Sequence, residues 1–322
     1  MGNDHDVSGR RKRIRPVSTG KRVTPQSRDM QWFQNLAEHG PLPSSFLLQY
    51  AKESHRSEKR ARERLTDLFN EDNTPHGGAY LARPVQQFRT LDSRYNQLVY
   101  DLTPASHKAL KDADLTLARQ RRHSGPWLHG FMVSCITASI ELATRMRSDM
   151  AYIPQSALLA RAGADLRYPV SIAGTATGNE IKKDLIPDAL FGLEYKTLQG
   201  SRFRTFLVEA DRSTEPATSR NFNRKSWQRN LLQYEIYIGK GLYRDHLKLK
   251  SPLLVLNVVT SAKRLTQILR LVPTYAPIAG SHLLFQTWEE FGPVFSPPKP
   301  NADLLEGLWE RAVDAAFLID RV

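Results

Sequence analysis

The 322-residue sequence predicts a protein of the α/β (α+β) class that folds as two domains. A domain usually holds about 100–200 residues, so this length suggests two of them. Helical patterns and one short hairpin fill the first third of the chain, whereas strand-like apolar runs alternate with amphipathic helices after residue 126. Hydrophobic residues make up 40% and charged residues 25% of the chain, which is the composition of a folded protein. Wholesale disorder is therefore excluded.

The chain carries a large excess of positive charge. It has 46 Lys and Arg residues against 33 Asp and Glu residues, a formal net charge of +13. This surplus indicates a polyanionic partner, either nucleic acid or an acidic membrane face, and a merely basic protein is the alternative. One cysteine, Cys135, excludes a disulfide framework and a cysteine zinc cluster. No apolar run nears the roughly 18 residues of a membrane span and no secretory signal is visible, so we expect a cytoplasmic protein without a membrane partner.

Residues 1–28 predict a disordered basic arm. They contain eight Lys and Arg residues, Arg11, Lys12 and Arg13 among them, and only two acidic residues. So few apolar residues are present that the segment cannot bury enough surface to become ordered. Such an arm would track DNA phosphates, and a solubilising tail is the alternative.

Residues 29–118 predict a winged helix-turn-helix domain. Two short helical patterns are followed by a third helix capped by Ser57, "SEKRARERLTDLFNE", and then by the strand-like runs "AYLAR" and "QLVYDLT". In a winged helix the third helix enters the major groove and the hairpin lies along the backbone. The polar face of this helix carries four candidate DNA-binding residues, Lys59, Arg60, Arg62 and Arg64. A solvated charged face is the alternative reading.

A basic, turn-rich joint at residues 119–126 separates this domain from a second one at residues 127–295. The second domain opens with a long helix, "WLHGFMVSCITASIELATRMRSD", and a polar helix is expected at about 220–238. A stiff "PPKP" segment then leads into an amphipathic helix that closes the chain within residues 296–322. Strands are predicted from apolar runs at Leu166–Ile172, Leu185–Tyr195, Arg204–Ala210, Pro252–Val259 and "HLLFQTW".

Three carboxylates stand at the ends of predicted strands. Asp188 precedes one strand, and about 20 residues later "FRTFLV" runs into Glu209 and Asp211. Because side chains alternate along a strand, Glu209 and Asp211 share a face, and an antiparallel hairpin would bring Asp188 to it. Such an oxygen-rich cluster suits Mg²⁺ or Mn²⁺. Turn formation or pairing with nearby arginines is the alternative use of these acids.

The same stretch resembles a known family. The segments "LIPDALFGLE", "FRTFLVEADRSTEP", "LLQYEIY" and "PLLVLNVVTSAKRLTQIL" are similar to those of the replication-relaxation family of plasmid and mobile-element proteins, over roughly residues 40–272. The resemblance implies a PD-(D/E)xK domain, a restriction-endonuclease-like mixed sheet flanked by helices. It makes Asp188 and Glu209 the motif acids and Glu141 an additional acid. Two positions depart from the pattern, because Asp211 and Asn230 stand where lysines are common, which leaves Lys225 as the auxiliary lysine.

We therefore predict a DNA-binding protein of a bacterial plasmid or mobile element. Its second domain would hydrolyse DNA phosphodiesters with Mg²⁺ or Mn²⁺ during replication or mobilisation, and a non-catalytic replication or transcription factor is the alternative. The predicted catalytic residues are Asp188, Glu209, Asp211 and Lys225, and the predicted metal ligands are Asp188, Glu209, Asp211 and Glu141. The expected partners are double-stranded DNA and other replication or mobilisation proteins, with a homodimer left open. His129 is interpreted as an isolated packed or solvated histidine, and Tyr234 as a packing residue.

Overall fold

A computed structural model describes residues 13–89, 95–116, 125–173, 180–292 and 295–322. The chain divides into two compact units, the first formed by Met1–Leu117 with Val294–Pro300 and the second by Ala118–Pro293 with Asn301–Val322. Both contain helices and strands, so the predicted mixed α/β class is confirmed. Within the described residues, no helix is both long and apolar enough to span a membrane.

The first unit packs helices around a small sheet. The order of strands in that sheet is β1-β3-β2, and both pairings are antiparallel. The pairing of Leu81 with Leu102 confirms the two strands that were predicted on either side of a hairpin connection. The elements are α1 (Ser27–His39), β1 (Leu42–Pro43), α2 (Ser44–Tyr50), α3 (Glu58–Asn70), β2 (Leu81–Ala82), β3 (Val99–Leu102) and α4 (Pro104–Asp112).

The described part of the predicted basic arm is ordered against α3. Glu71, which caps the C-terminal end of α3, accepts hydrogen bonds from the Ser18 hydroxyl at 2.7 Å and from the Thr19 hydroxyl at 2.7 Å. Val23 is 3% exposed, and the Lys21 ammonium lies 3.0 Å from the Asp67 carboxylate. The prediction of a disordered arm is therefore wrong for residues 13–28, because hydroxyl groups and one valine supply contacts that a charge count ignores. Residues 1–12 lie outside the described residues.

The second unit is built on a five-stranded mixed sheet with the order β10-β9-β8-β7-β4. Strands β4, β7 and β8 are antiparallel neighbours, whereas β8, β9 and β10 run parallel. A separate two-stranded sheet pairs β5 with β6. The strands are β4 (Met150–Ile153), β5 (Tyr168–Ala173), β6 (Glu180–Leu185), β7 (Ala189–Thr197), β8 (Gly200–Asp211), β9 (Leu253–Val259) and β10 (Leu283–Thr287). The helices are α5 (Trp127–Arg145), α6 (Gln155–Ala162), α7 (Trp227–Gly239), α8 (Leu242–His246), α9 (Ala262–Leu269), α10 (Val272–Tyr275) and α11 (Asp303–Glu306).

One face of this sheet packs against α7. Leu190 of β7 and Leu207 of β8 belong to the same buried cluster as Leu231 and Tyr234 of α7. Because side chains alternate along a strand, the residues at positions 188, 209 and 211 point to this same face. The strand pattern therefore aims the acidic residues at the helix that follows them.

The end of the chain does not form the predicted amphipathic helix. Helix α11 ends at Glu306, and beyond it Trp309 pairs with Phe317 while Glu310 pairs with Phe285 of β10. Trp309 is fully buried. The helix prediction is wrong because the segment satisfies its backbone by pairing with the sheet edge and with itself, and an apolar periodicity cannot reveal such partners.

Candidate functional site

Asp188 and Glu209 form an acid pair on neighbouring strands. Ala189 pairs with Val208 in the antiparallel register of β7 and β8, so Asp188 stands opposite Glu209. The Asp188 amide donates to the Val208 carbonyl at 3.0 Å, which continues the ladder. The Ala210 amide donates to Asp188 Oδ2 at 2.9 Å. The predicted hairpin thus brings two of the three expected carboxylates together.

His129, in the first turn of α5, completes one side of the acid pair. Its Nε2 lies 2.9 Å from Asp188 Oδ1. Burial lowers the pKa of His129, but the hydrogen bond and negative charge of Asp188 outweigh burial and raise it. Burial likewise raises the pKa of Asp188, whereas His129 and Lys225 outweigh that effect and lower it. Asp188 is therefore an ionised carboxylate held in one orientation.

Glu209 has the opposite character. Its side chain is buried, and burial together with the charge of Asp188 raises its pKa to about 7, although Lys225, Tyr234 and Asn230 act against this shift. The Tyr234 hydroxyl donates to Glu209 Oε1 at 2.5 Å. Tyr234 therefore orients an acid as well as packing helix against sheet. Two adjacent carboxyl groups with pKa values pushed apart are typical of functional sites.

Lys225 brings positive charge to this pair. It lies just before α7, whose N-terminal cap is the neighbouring Ser226. Burial lowers the pKa of Lys225, but the charges of Glu209, Asp188 and Glu215 outweigh burial and raise it. Its ammonium also lies 3.0 Å from Glu215 Oε1, and the side chain is 46% exposed. At neutral pH it is therefore a charged donor rather than a base.

Asp211 does not join the acid pair. Arg264 Nε donates to Asp211 Oδ2 at 2.5 Å, and the Trp227 indole donates to the same oxygen at 2.8 Å. The Ser213 amide donates to Asp211 Oδ1 at 2.8 Å. The expectation that Asp211 shares a metal site with Asp188 and Glu209 is wrong, because a buried arginine from α9 neutralises its carboxylate. Asp211 instead ties the end of β8 to α7 and α9.

Glu141 is also separate from the acid pair. It lies on α5, 12 residues after His129, and a helix rises about 1.5 Å per residue, which places it about 18 Å further along the axis. Its carboxylate forms a 2.6 Å ion pair with Arg145, one turn later. The expectation that Glu141 is an additional metal ligand is therefore wrong. The acid pair draws on the first turn of α5, and Glu141 lies near its last.

The donor set of the acid pair suits a hard cation in part. Within the described residues, no group of three or more His, Cys, Asp or Glu side chains is placed to hold a metal ion. However, Mg²⁺ is commonly bound by one or two carboxylates and keeps several water ligands. Asn230, whose side chain lowers the pKa of Glu209, has a buried Oδ1 without a hydrogen-bond partner. Asp188 and Glu209 would therefore hold the ion, and the Asn230 oxygen is a further acceptor beside them.

The predicted DNA-binding residues of α3 fall into two groups. Lys59, Arg60 and Arg62 are exposed. The Arg60 and Arg62 side chains each pair with a glutamate of the same helix, at 2.8 Å and 2.7 Å. Arg64 instead forms a 2.6 Å ion pair with Asp29, which is fully buried. The expectation that Arg64 faces DNA is wrong, since its guanidinium fastens α3 to α1.

Of the three basic residues predicted for the arm, Arg13 lies in the described part of the chain. The Arg13 guanidinium donates to the Asn96 carbonyl at 3.2 Å, and the Arg13 carbonyl accepts from Arg83 at 3.0 Å. Arg13 is thus packed on the first unit. Arg11 and Lys12 lie outside the described residues.

Sequence reasoning missed His129. The histidine looks isolated in the sequence, since no spacing pattern links it to an aspartate 59 positions later. The one local sign is its place in the first turn of a long, mostly apolar helix, where a polar side chain can still reach a sheet edge.

Comparison with known proteins identifies the family. The family model described as replication-relaxation matches residues 33–251, which is more than half of the chain. No curated protein and no solved structure matches significantly. The match includes α3, the acid pair, Lys225 and Tyr234. The chain therefore belongs to the replication-relaxation family, a family of plasmid and mobile-element proteins related to replication.

Proposed function

We propose that the first unit binds duplex DNA and that the second unit hydrolyses DNA phosphodiesters with Mg²⁺ at the acid pair. One observation carries this proposal. Asp188 and Glu209 stand opposite each other, and the charge of Lys225 is close enough to act on both carboxyl groups. Two acids and a lysine at one sheet edge are the residue types that metal-dependent phosphodiester hydrolysis requires.

The fold of the second unit supports the proposal. Helix α5, the antiparallel strands β4, β7 and β8, helix α7 and the parallel strand β9 follow the element order of a restriction-endonuclease-like core. In such a core the acids stand at the start of the second strand and near the end of the third. Asp188 and Glu209 hold those places, and Lys225 takes the part of the lysine that Asp211 replaces.

The first unit supports a DNA-docking role. Its helices and strands follow the order α1-β1-α2-α3-β2-β3, which is that of a winged helix, with α3 as the helix that enters the major groove. Lys59, Arg60 and Arg62 are exposed on α3. Cations of this kind contact phosphates, and such contacts position a protein on duplex DNA without reading its sequence.

The residues around the acid pair have distinct parts in the proposed reaction. A bound Mg²⁺ supplies a Lewis acid and lowers the pKa of water. Asp188 and Glu209 would hold the ion, with His129 orienting the first carboxylate and Tyr234 the second. The Lys225 ammonium would donate to a non-bridging phosphate oxygen and so stabilise the negative charge that the phosphoryl oxygens carry in the transition state.

A non-catalytic DNA-binding factor is the second candidate. Two observations favour it. Asp211, which is paired with Arg264, occupies the position where the nuclease motif has a lysine. The substitute lysine, Lys225, is paired with Glu215. In this alternative the nuclease-like unit binds DNA without cutting it.

A nicking assay separates the two candidates. Supercoiled DNA is incubated with the full chain and Mg²⁺ or Mn²⁺, beside the variants Asp188→Asn, Glu209→Gln and Lys225→Met. We expect wild-type nicking, strong loss in all three variants, and unchanged duplex affinity in Glu209→Gln. Glu141→Gln is the matched control and should nick like wild type.

Two results would overturn the catalytic proposal. A wild-type protein that binds duplex DNA but nicks it with neither metal supports the non-catalytic factor. Nicking that persists undiminished in Glu209→Gln removes the acid pair from the reaction.

A further inference from the structure

The connection between β8 and α7, residues 212–226, is a positively charged loop beside the acid pair. It leaves β8 directly after Asp211 and reaches Lys225 just before α7 begins. Its charged residues are Arg212, Arg220, Arg224 and Lys225 against Glu215, so four positive and one negative charge give a net charge of +3. We call residues 212–226 the arginine loop.

The arginines of this loop form no ion pair with an acid in the part of the chain that the structure describes. The single loop acid, Glu215, pairs with Lys225. Within the described residues, the exposed side chains of Arg220 and Arg224 take part in no ion pair. Burial lowers the pKa of Arg212, and no nearby carboxylate counteracts it. Guanidinium groups without an acidic partner are able to pair with an anion, which they bind through charge-assisted hydrogen bonds.

The loop is held in place by the start of α7. Phe222 is 2% exposed and anchors the middle of the loop in the core. The Arg229 guanidinium donates to the Phe222 carbonyl at 3.2 Å, and the backbone amide of Gln228 donates to the Ala217 carbonyl at 2.9 Å. Its exposed arginines are therefore carried by an anchored backbone, which reduces the ordering cost of binding.

We propose that the arginine loop binds the sugar–phosphate backbone of duplex DNA next to the acid pair. Guanidinium groups match phosphate oxygens with two parallel hydrogen bonds. The inference rests on the proposed function and adds a second DNA contact to it, on the unit that carries the acids. The loop thereby positions the strand that the acid pair would cut.

The composition of the loop points to duplex DNA. Proteins that bind single strands stack bases on exposed aromatic rings. The loop's one aromatic residue, Phe222, is buried. Binding to an anionic membrane surface would likewise call for apolar side chains that can enter the lipid. An arginine-rich loop without either feature fits a continuous row of phosphates.

The test measures how duplex affinity depends on salt. The full-length variant Arg220→Gln/Arg224→Gln loses two exposed cations and keeps Phe222. The matched control, Lys196→Gln/Arg202→Gln, loses the same charge at the opposite end of the β7–β8 hairpin, roughly 25 Å away at 3.3 Å per residue. Affinity for a fluorescent duplex is measured from 50 to 200 mM KCl.

We expect the slope of log affinity against log salt to fall by about 2 in the loop variant, since each lost phosphate contact contributes about 0.9. Across this fourfold salt range, that is about a tenfold smaller loss of affinity than in wild type. The control should keep the wild-type slope.

Each other outcome is decisive. If the loop variant keeps the wild-type slope, or if the control shows the same reduction in slope, the arginine loop does not bind the duplex. The proposed function still stands in that case, provided that wild type binds and nicks the duplex. A wild-type chain that does not bind the duplex overturns both. Tighter binding to a single strand, or displacement of the duplex by phosphatidylserine vesicles, overturns the choice of partner.

Discussion

Replacing Glu209 by glutamine should make the metal-free protein more stable at alkaline pH. The carboxyl group is buried, and its pKa in the folded chain is about 7 instead of the ordinary 4.5, because of burial and the neighbouring charge of Asp188. Glutamine keeps the size of the side chain and cannot ionise. The variant therefore removes the electrostatic cost and little of the packing.

The size of the effect follows from the two pKa values. One pH unit corresponds to about 1.4 kcal/mol, so the interval from 4.5 to about 7 amounts to about 3 kcal/mol. Below pH 4.5 the group is protonated in both the folded and the unfolded chain. Between pH 4.5 and 7 the folded chain retains a proton that the unfolded chain has released, so stability falls as pH rises. Above pH 7 the loss is complete.

Urea unfolding at pH 5 and pH 8 in the presence of EDTA measures this difference. Four of the five tryptophans, Trp127, Trp227, Trp288 and Trp309, lie in the second unit, so their fluorescence reports mainly on that unit. We expect a pH-dependent gain of up to about 3 kcal/mol for Glu209→Gln over wild type between pH 5 and pH 8. His129 titrates in both proteins, so its contribution to the pH dependence of stability largely cancels in the comparison.

A difference between variant and wild type that is the same at both pH values would refute the reasoning, because it would mean that Glu209 does not carry the titration. Adding Mg²⁺ provides an internal control. A bound cation should stabilise wild type at pH 8 and so narrow the gap, because the glutamine variant has lost one of the two carboxylates.

Two further predictions concern buried ion pairs. Arg264→Leu leaves the Asp211 carboxylate buried without its cation and should lower the free energy of unfolding of the second unit by about 3–5 kcal/mol, with partial recovery when Asp211→Asn is added. A wild-type urea midpoint for Arg264→Leu would contradict this. In the first unit, Arg64→Gln leaves Asp29 buried and should be similarly destabilising, whereas Arg62→Gln, at an exposed pair, should stay within about 0.5 kcal/mol. Circular dichroism melts that show equal losses would disprove the distinction.

Much of the fold was readable because it depends on short-range patterns. Patterns over a few residues predict the strand that contains Glu209, the strand at Pro252–Val259 and the helix that begins at Trp127. The antiparallel pairing of β7 with β8 was a condition of the predicted acid cluster, and the structure supplies it through a two-residue turn between Thr197 and Gly200. The prediction of a C-terminal helix was wrong because residues beyond Glu306 have the apolar spacing of a helix but pack irregularly.

The sequence by itself determined that the chain is basic, that it is mixed α/β and that Asp188 and Glu209 stand on successive strands, because charge and residue patterning are local properties. That these two acids meet was decided by the pairing of β7 with β8. Only the tertiary structure decided the partners of each charge. Arg264 reaches Asp211 across 53 positions, His129 reaches Asp188 across 59, and Arg64 turns away from solvent to Asp29. A buried charge without a partner is costly, so each buried charge has to be paired. Because the two partners are far apart in the sequence, no short stretch of it shows both.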